Sequence, residues 1–115
     1  MDASELETEL RNFGIDIHEI ERIDPVELSY ITSLPGEEVD HMEMGTALNG
    51  LLDLAREDRW EPTRVEATVL RFEDDVLNTW YAEAEWFEGL LNYRLSETEF
   101  STKVLETLDE DPSDG

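Results

Sequence analysis

The stretch that decides the fold is Val65-Glu66-Ala67-Thr68-Val69-Leu70-Arg71-Phe72-Glu73-Asp74-Asp75-Val76-Leu77-Asn78-Thr79-Trp80-Tyr81-Ala82-Glu83-Ala84-Glu85-Trp86. Val65, Ala67 and Val69 alternate with polar neighbours, the period of a half-buried strand. After the acidic turn Glu73-Asp74-Asp75, the residues Val76, Trp80, Ala82, Ala84 and Trp86 share one parity. The segment therefore predicts a β-hairpin with one apolar face, and Glu83 and Glu85 fall on its solvated side. Past Trp86 the alternation loosens through Phe87, Leu90, Leu91 and Tyr93, leaving room for a short helical turn.

Upstream lies a second, similar unit. Val26, Leu28, Tyr30 and Thr32 alternate against Glu27, Ser29 and Ser33, and Asp24-Pro25 marks a turn before them. In the preceding strand Ile15, Ile17 and Ile23 share a parity that Ile20 breaks, which predicts a bulge or an irregular start. Pro35-Gly36 ends the hairpin.

Three helices surround these hairpins. Leu6, Leu10 and Phe13 make an opening stripe, with Asp2 and Glu5, or Ser4 and Glu7, at capping-box spacing and Gly14 as terminator. A long helix is expected over 40–58, with Asp40 and Glu43 at capping-box spacing and Met44, Leu48, Leu51, Leu52 and Ala55 as its stripe. Gly45 and Gly50 inside it each cost about 1 kcal/mol against alanine. Close approach of another backbone is the expected compensation, and a ligand is the alternative. Ser96 and Glu99 cap the last helix, whose stripe is Phe100, Val104 and Leu108.

The expected fold is α+β: a single domain over 1–108 in the order αββαββα. Its four-stranded antiparallel sheet carries helices mainly on one face, and an acidic, frayed tail occupies 109–115. The two hairpin-plus-helix units suggest a duplication.

Composition narrows the environment. The chain has 31 acids against 8 bases and a formal net charge of −23, and Lys103 is its only lysine. Leu, Ile, Val and Phe still supply 30 of the 115 residues, enough to fold where a less apolar chain of this charge would stay disordered. At about 1 M salt the Debye length falls to roughly 3 Å, and self-repulsion is screened away. The surface thus reads as an adaptation to a very salty interior. A nucleic-acid mimic is the competing explanation. With no cysteine, no signal peptide and no apolar run of about 18 residues, the expected location is cytoplasmic, without disulfides or membrane contact.

No grouping of residues announces chemistry. Asp40 and Glu43 lie one and two residues from His41, a spacing that does not converge on one helix face, so no metal site is expected. Nucleophile-elbow, Walker and dinucleotide motifs are absent from the sequence, and no catalytic residue or cofactor is assigned. The arginines are spread along the chain, which disfavours direct nucleic-acid binding. What remains is the aromatic run containing Trp80, Tyr81, Trp86, Phe87 and Tyr93. Core, or the edge of the core, is the first expectation for this group. The functional alternative is a small-molecule pocket or a hydrophobic dimer seam, for which Trp80, Trp86, Phe87 and Tyr93, with His41, are the candidate contact surface, since aromatics are enriched at interfaces.

From about Leu28 to Leu108 the chain resembles a family of small acidic hypothetical proteins of halophilic archaea. The resemblance rests on Val39-Asp40-His41-Met42-Glu43-Met44-Gly45, Val65-Glu66-Ala67-Thr68-Val69, Ala84-Glu85-Trp86-Phe87 and Ser96-Glu97-Thr98-Glu99-Phe100-Ser101. It implies no activity, substrate or cofactor. The functional expectation is a non-enzymatic interaction, accessory or regulatory module that pairs with itself or another protein. A small-ligand-binding domain or minor enzyme with an aromatic cleft is the alternative.

Overall fold

A computed structural model of the chain describes residues 1–33 and 39–108. The elements run α1 (Ala3–Asn12), β1 (Ile17–Ile23), β2 (Val26–Ile31), α2 (His41–Arg56), β3 (Val65–Phe72), β4 (Asp75–Ala82), α3 (Ala84–Leu91) and α4 (Glu97–Leu105). The expected Pro35-Gly36 turn and the acidic tail at 109–115 lie outside the described residues.

The four strands form one sheet in the order β1-β2-β3-β4, and it is mixed rather than antiparallel. Each hairpin is antiparallel, because a two-residue turn must reverse the chain. The link from β2 to β3 instead passes through α2 and re-enters the sheet from the same end, so β2 and β3 pair in parallel from Val26↔Val65 to Ile31↔Leu70. Alternation within a strand carries no information about the direction of a neighbour 39 residues away, and the antiparallel expectation is corrected here.

Cross-strand register sorts the sheet into rows. Ile23–Val26–Val65–Ala82, Ile20–Leu28–Ala67–Trp80 and Ile17–Tyr30–Val69–Asn78 face the helices. Between them lie Arg22–Glu27–Glu66–Tyr81, Glu19–Ser29–Thr68–Thr79 and Ile31–Leu70–Val76, on the uncovered face. The parity slip expected in β1 is present as register shifts between Ile17 and Glu19 and between Ile20 and Arg22. A further shift in β4, where Asn78 faces Val69 but Val76 faces Leu70, bulges the strand at Leu77. It turns Val76 away from the core side that Trp80 occupies.

The second correction concerns Trp86. β4 stops at Ala82, Glu83 becomes an N-cap residue, and Ala84 to Leu91 are helical. The same-parity run through Ala84 and Trp86 mimics a strand, whereas Phe87, Leu90 and Leu91, at i, i+3 and i+4, are the stripe of α3. The order is thus αββαββαα. Glu85 lies on a helix, not on a solvated strand face.

The helix ends follow local chemistry. Asp2 with Glu5 and Ser96 with Glu99 form complete capping boxes. Asp40 caps α2 through the Met42 amide, but Glu43 does not close a box and turns inward instead. Helices α1, α2 and α3 all end in the Schellman pattern. In them Ile15, Arg59 and Arg94 donate back to the carbonyls of Leu10, Leu54 and Gly89. Their left-handed residues are Gly14 (φ 103°), Asp58 (φ 60°) and Tyr93 (φ 62°).

All four helices contribute to one core with the sheet. Leu6 and Leu10, Leu48, Leu51 and Leu54, Phe87 and Leu90, and Phe100 and Val104 close over Val26, Tyr30, Val65 and Val69. Each such side chain contributes about 1.5–3 kcal/mol on burial. Gly50 is accounted for by this packing, since a Cβ there would run into the Phe13 ring. A Cβ on Gly45 would meet nothing within 4 Å, so neither glycine serves close approach of a backbone.

Candidate functional site

The structure separates the expected contact residues. Trp80 is buried, and its Nε1 donates to the Tyr30 hydroxyl at 3.1 Å. Burial pushes the Tyr30 hydroxyl far above its ordinary pKa; the Trp80 hydrogen bond opposes this, and the nearby carboxylates of Glu43 and Asp40 add to it. Phe87 is also buried, edge-on to Trp60 at 5.2 Å and tilted against Phe100 at 5.4 Å. His41 opens α2 at the rim of an apolar cleft of about 200 Å³ lined by Met44, Gly45, Leu48, Ser101, Val104 and Leu105. Only Trp86 and Tyr93 reach the surface around the α3–α4 corner. Trp86 is half-buried and Tyr93 is 94 % exposed.

At that corner cations and rings alternate. The Lys103 Nζ lies 5.7 Å from the Trp86 ring centre, and Trp86 stacks on Tyr81 at 5.8 Å and 25°. The Arg64 guanidinium sits over Tyr81 at 4.3 Å. Arg64 also bonds Glu66 at 2.8 Å and Glu83, and these two carboxylates raise its pKa. The Tyr81 amide donates to the Thr107 hydroxyl at 2.9 Å, so the second residue after α4 covers part of the β4 edge. Next to this stack an open cleft of about 370 Å³ is lined by Glu85, Trp86, Gly89, Arg94, Leu95 and Lys103.

Ion pairing singles out two of these residues. Arg11, Arg22, Arg56, Arg59, Arg64 and Arg71 each hold at least one carboxylate. Arg94 and Lys103 hold none among the described residues, and both line the Trp86 cleft. Sequence reasoning missed them. The available signal was that the one lysine of an acidic chain stands on the last helix, nine residues after a corner arginine.

The uncovered sheet face is the other distinctive surface. Its rows grade from charged (Arg22, Glu27, Glu66, Tyr81) through Glu19 and the hydroxyls of Ser29, Thr68 and Thr79 to apolar (Ile31, the buried Leu70, and Val76). At the apolar end Phe72 is 63 % exposed and Val76 is 56 % exposed, on either side of the β3–β4 turn.

A model of the family described as "Domain of unknown function (DUF8159)" matches residues 1–114. The chain belongs to this family. No curated protein and no solved structure matches it.

Among the described residues no three His, Asp or Glu side chains come together to hold a metal ion, and no helix is long and apolar enough to cross a membrane. The one buried carboxylate among the described residues, Glu43 at 8 % exposure, accepts from the Ser33 amide at 3.1 Å and its hydroxyl at 3.2 Å. It ties the end of β2 to α2. Its second oxygen has no hydrogen-bond partner.

Proposed function

We propose that this family member is a non-enzymatic interaction module of a saline cytoplasm, and that it pairs with a second copy of itself through the uncovered face of its sheet. One observation carries the reading: Phe72 and Val76 stand in solvent on either side of the β3–β4 turn, and half-buried Ile31 and buried Leu70 lie in the same row as Val76. Contiguous apolar surface on a strongly charged protein is a contact surface. The charged row supports the same choice. Arg22 and Arg64 pair with Glu27 and Glu66 there and leave Glu19 as the carboxylate of these rows without an ion pair among the described residues, so two such faces meet with less of the repulsion that the −23 chain imposes elsewhere. The excess of carboxylates and the single lysine support the saline environment, where screening lowers the remaining repulsion.

Light scattering during size-exclusion chromatography in molar KCl tests this. The wild-type chain should run as a dimer, and the double variant F72E/V76E should run as a folded monomer. A wild-type monomer at every accessible concentration would overturn the reading.

A further inference from the structure

We propose that the α3–α4 cleft binds a small organic anion, a carboxylate or phosphate on an apolar or aromatic body, with Arg94 and Lys103 holding the charge and Trp86 packing on the body. This inference does not depend on self-association, because it rests on a different surface.

The first support is electrostatic. In a chain of 31 acids and 8 bases, every cation has carboxylates available, and six have taken them. The two that have not, among the described residues, come from different segments and line one cleft of about 370 Å³. Lys103 lies over the Trp86 ring instead, and Arg94 has neither a carboxylate nor a ring partner among the described residues. An anion bound between them would complete their pairing with charge-assisted hydrogen bonds.

The second support is the backbone. Tyr93 sits at φ 62°, a conformation unfavourable for a bulky residue, and its ring is 94 % exposed. The turn it makes lets the Arg94 amide donate to the Gly89 carbonyl at 2.7 Å and the Leu95 amide to the same oxygen at 3.0 Å. Arg94 is thereby pinned at the cleft while its guanidinium stays unpaired among the described residues. A non-glycine residue at such a position, with its ring in solvent, contributes surface rather than core. Tyr93 does not itself line the cleft, but its exposed ring adjoins Arg94 in the chain, and in the proposed complex the ligand's apolar contact extends to it.

The lining defines the ligand class. Trp86 and Leu95 offer apolar surface, with the Leu95 side chain seated on Gly89, a setting for a compact body rather than a bare ion. Glu85 is the one carboxylate in the lining. Together with the net charge it disfavours extended polyanions, so a nucleic-acid backbone does not fit where a single carboxylate or phosphate does.

The test is a titration of the ¹⁵N-labelled full chain, followed by NMR, in molar KCl, where a Debye length of roughly 3 Å removes long-range attraction and leaves contact. The probes are benzoate and phenyl phosphate, with benzamide as the uncharged analogue and inorganic phosphate as the bare anion. Saturable shifts of the Trp86 indole N–H and the Arg94 Nε–H are expected with the first two, and at least about tenfold weaker binding in R94Q/K103Q. R56Q, which alters an exposed arginine on α2 outside the cleft lining, should bind as wild type. No saturable shift with either aryl anion would overturn the proposal, as would equal binding by benzamide or undiminished binding by a folded R94Q/K103Q.

Discussion

Replacing Tyr93 by glycine should stabilise the domain, an unusual direction for removing an aromatic side chain. The left-handed conformation at φ 62° costs an L-residue about 1–2 kcal/mol, which glycine avoids. Against that, glycine gives up about 0.5–1 kcal/mol more chain entropy on folding. The ring is 94 % exposed, so almost no burial is lost. The net expectation is a gain of about 0.5–1 kcal/mol, or roughly 4–8 °C in Tm per kcal/mol for a domain of this size. Urea unfolding at fixed molar KCl is the appropriate assay, because guanidinium chloride would change the ionic strength along with the denaturant. Gly14→Ala serves as the mirror experiment: the same Schellman position at φ 103° should lose stability when a side chain is added. A Y93G variant less stable than wild type would refute the reasoning, because it would mean that the ring contributes to folding. If Y93G is both more stable and weaker in binding aryl anions, the residue's role at the cleft is established.

Three further outcomes are expected. Gly45→Ala should gain up to about 1 kcal/mol, since its Cβ meets nothing, whereas Gly50→Ala should lose about 1–3 kcal/mol by displacing the Phe13 ring; denaturation of the two variants side by side distinguishes them. Stability should fall above pH 10, the ordinary tyrosine pKa, by at most about 1.4 kcal/mol per pH unit from Tyr30. The unfolded residue ionises there while the buried one stays protonated, so the unfolded state binds fewer protons as pH rises; alkaline melts of wild type and Tyr30→Phe should show this slope in the former alone. Finally, Tm should rise as KCl goes from dilute to about 1 M and the Debye length shrinks from about 10 to 3 Å; a Tm independent of KCl would contradict the halophilic reading.

Local signals in the sequence were legible where their cause was local. The capping boxes at Asp2 and Ser96, the terminator Gly14, the slip in β1 and the core parity of Val26, Leu28, Tyr30, Val65, Ala67 and Val69 all rest on interactions within a few residues. The parallel pairing of β2 with β3 depends on the path of α2, which periodicity does not encode. At Ala84 and Trp86 an accidental alternation overlapped the start of α3, and the stripe Phe87–Leu90–Leu91 was too short to outweigh it. Glu43 sat at capping-box spacing but was drawn inward by Ser33, a partner ten residues away. The site was only half legible. Trp86 and Tyr93 stood out as aromatics, but Arg94 and Lys103 acquire meaning only when every other cation has been matched with its carboxylate.

The parallel seam between β2 and β3 also bears on how the molecule assembles in time. Each hairpin closes over two residues and can form early and by itself, whereas Val26 must find Val65 across a loop of 39 residues. Joining the halves is therefore the slow step, and a helix within the connecting segment shortens the distance to be searched. Mutations that weaken α2 without touching the seam, such as loss of the Asp40 cap, should then slow refolding as well as lower stability. The long helix is a tether in the kinetics before it is a wall of the core.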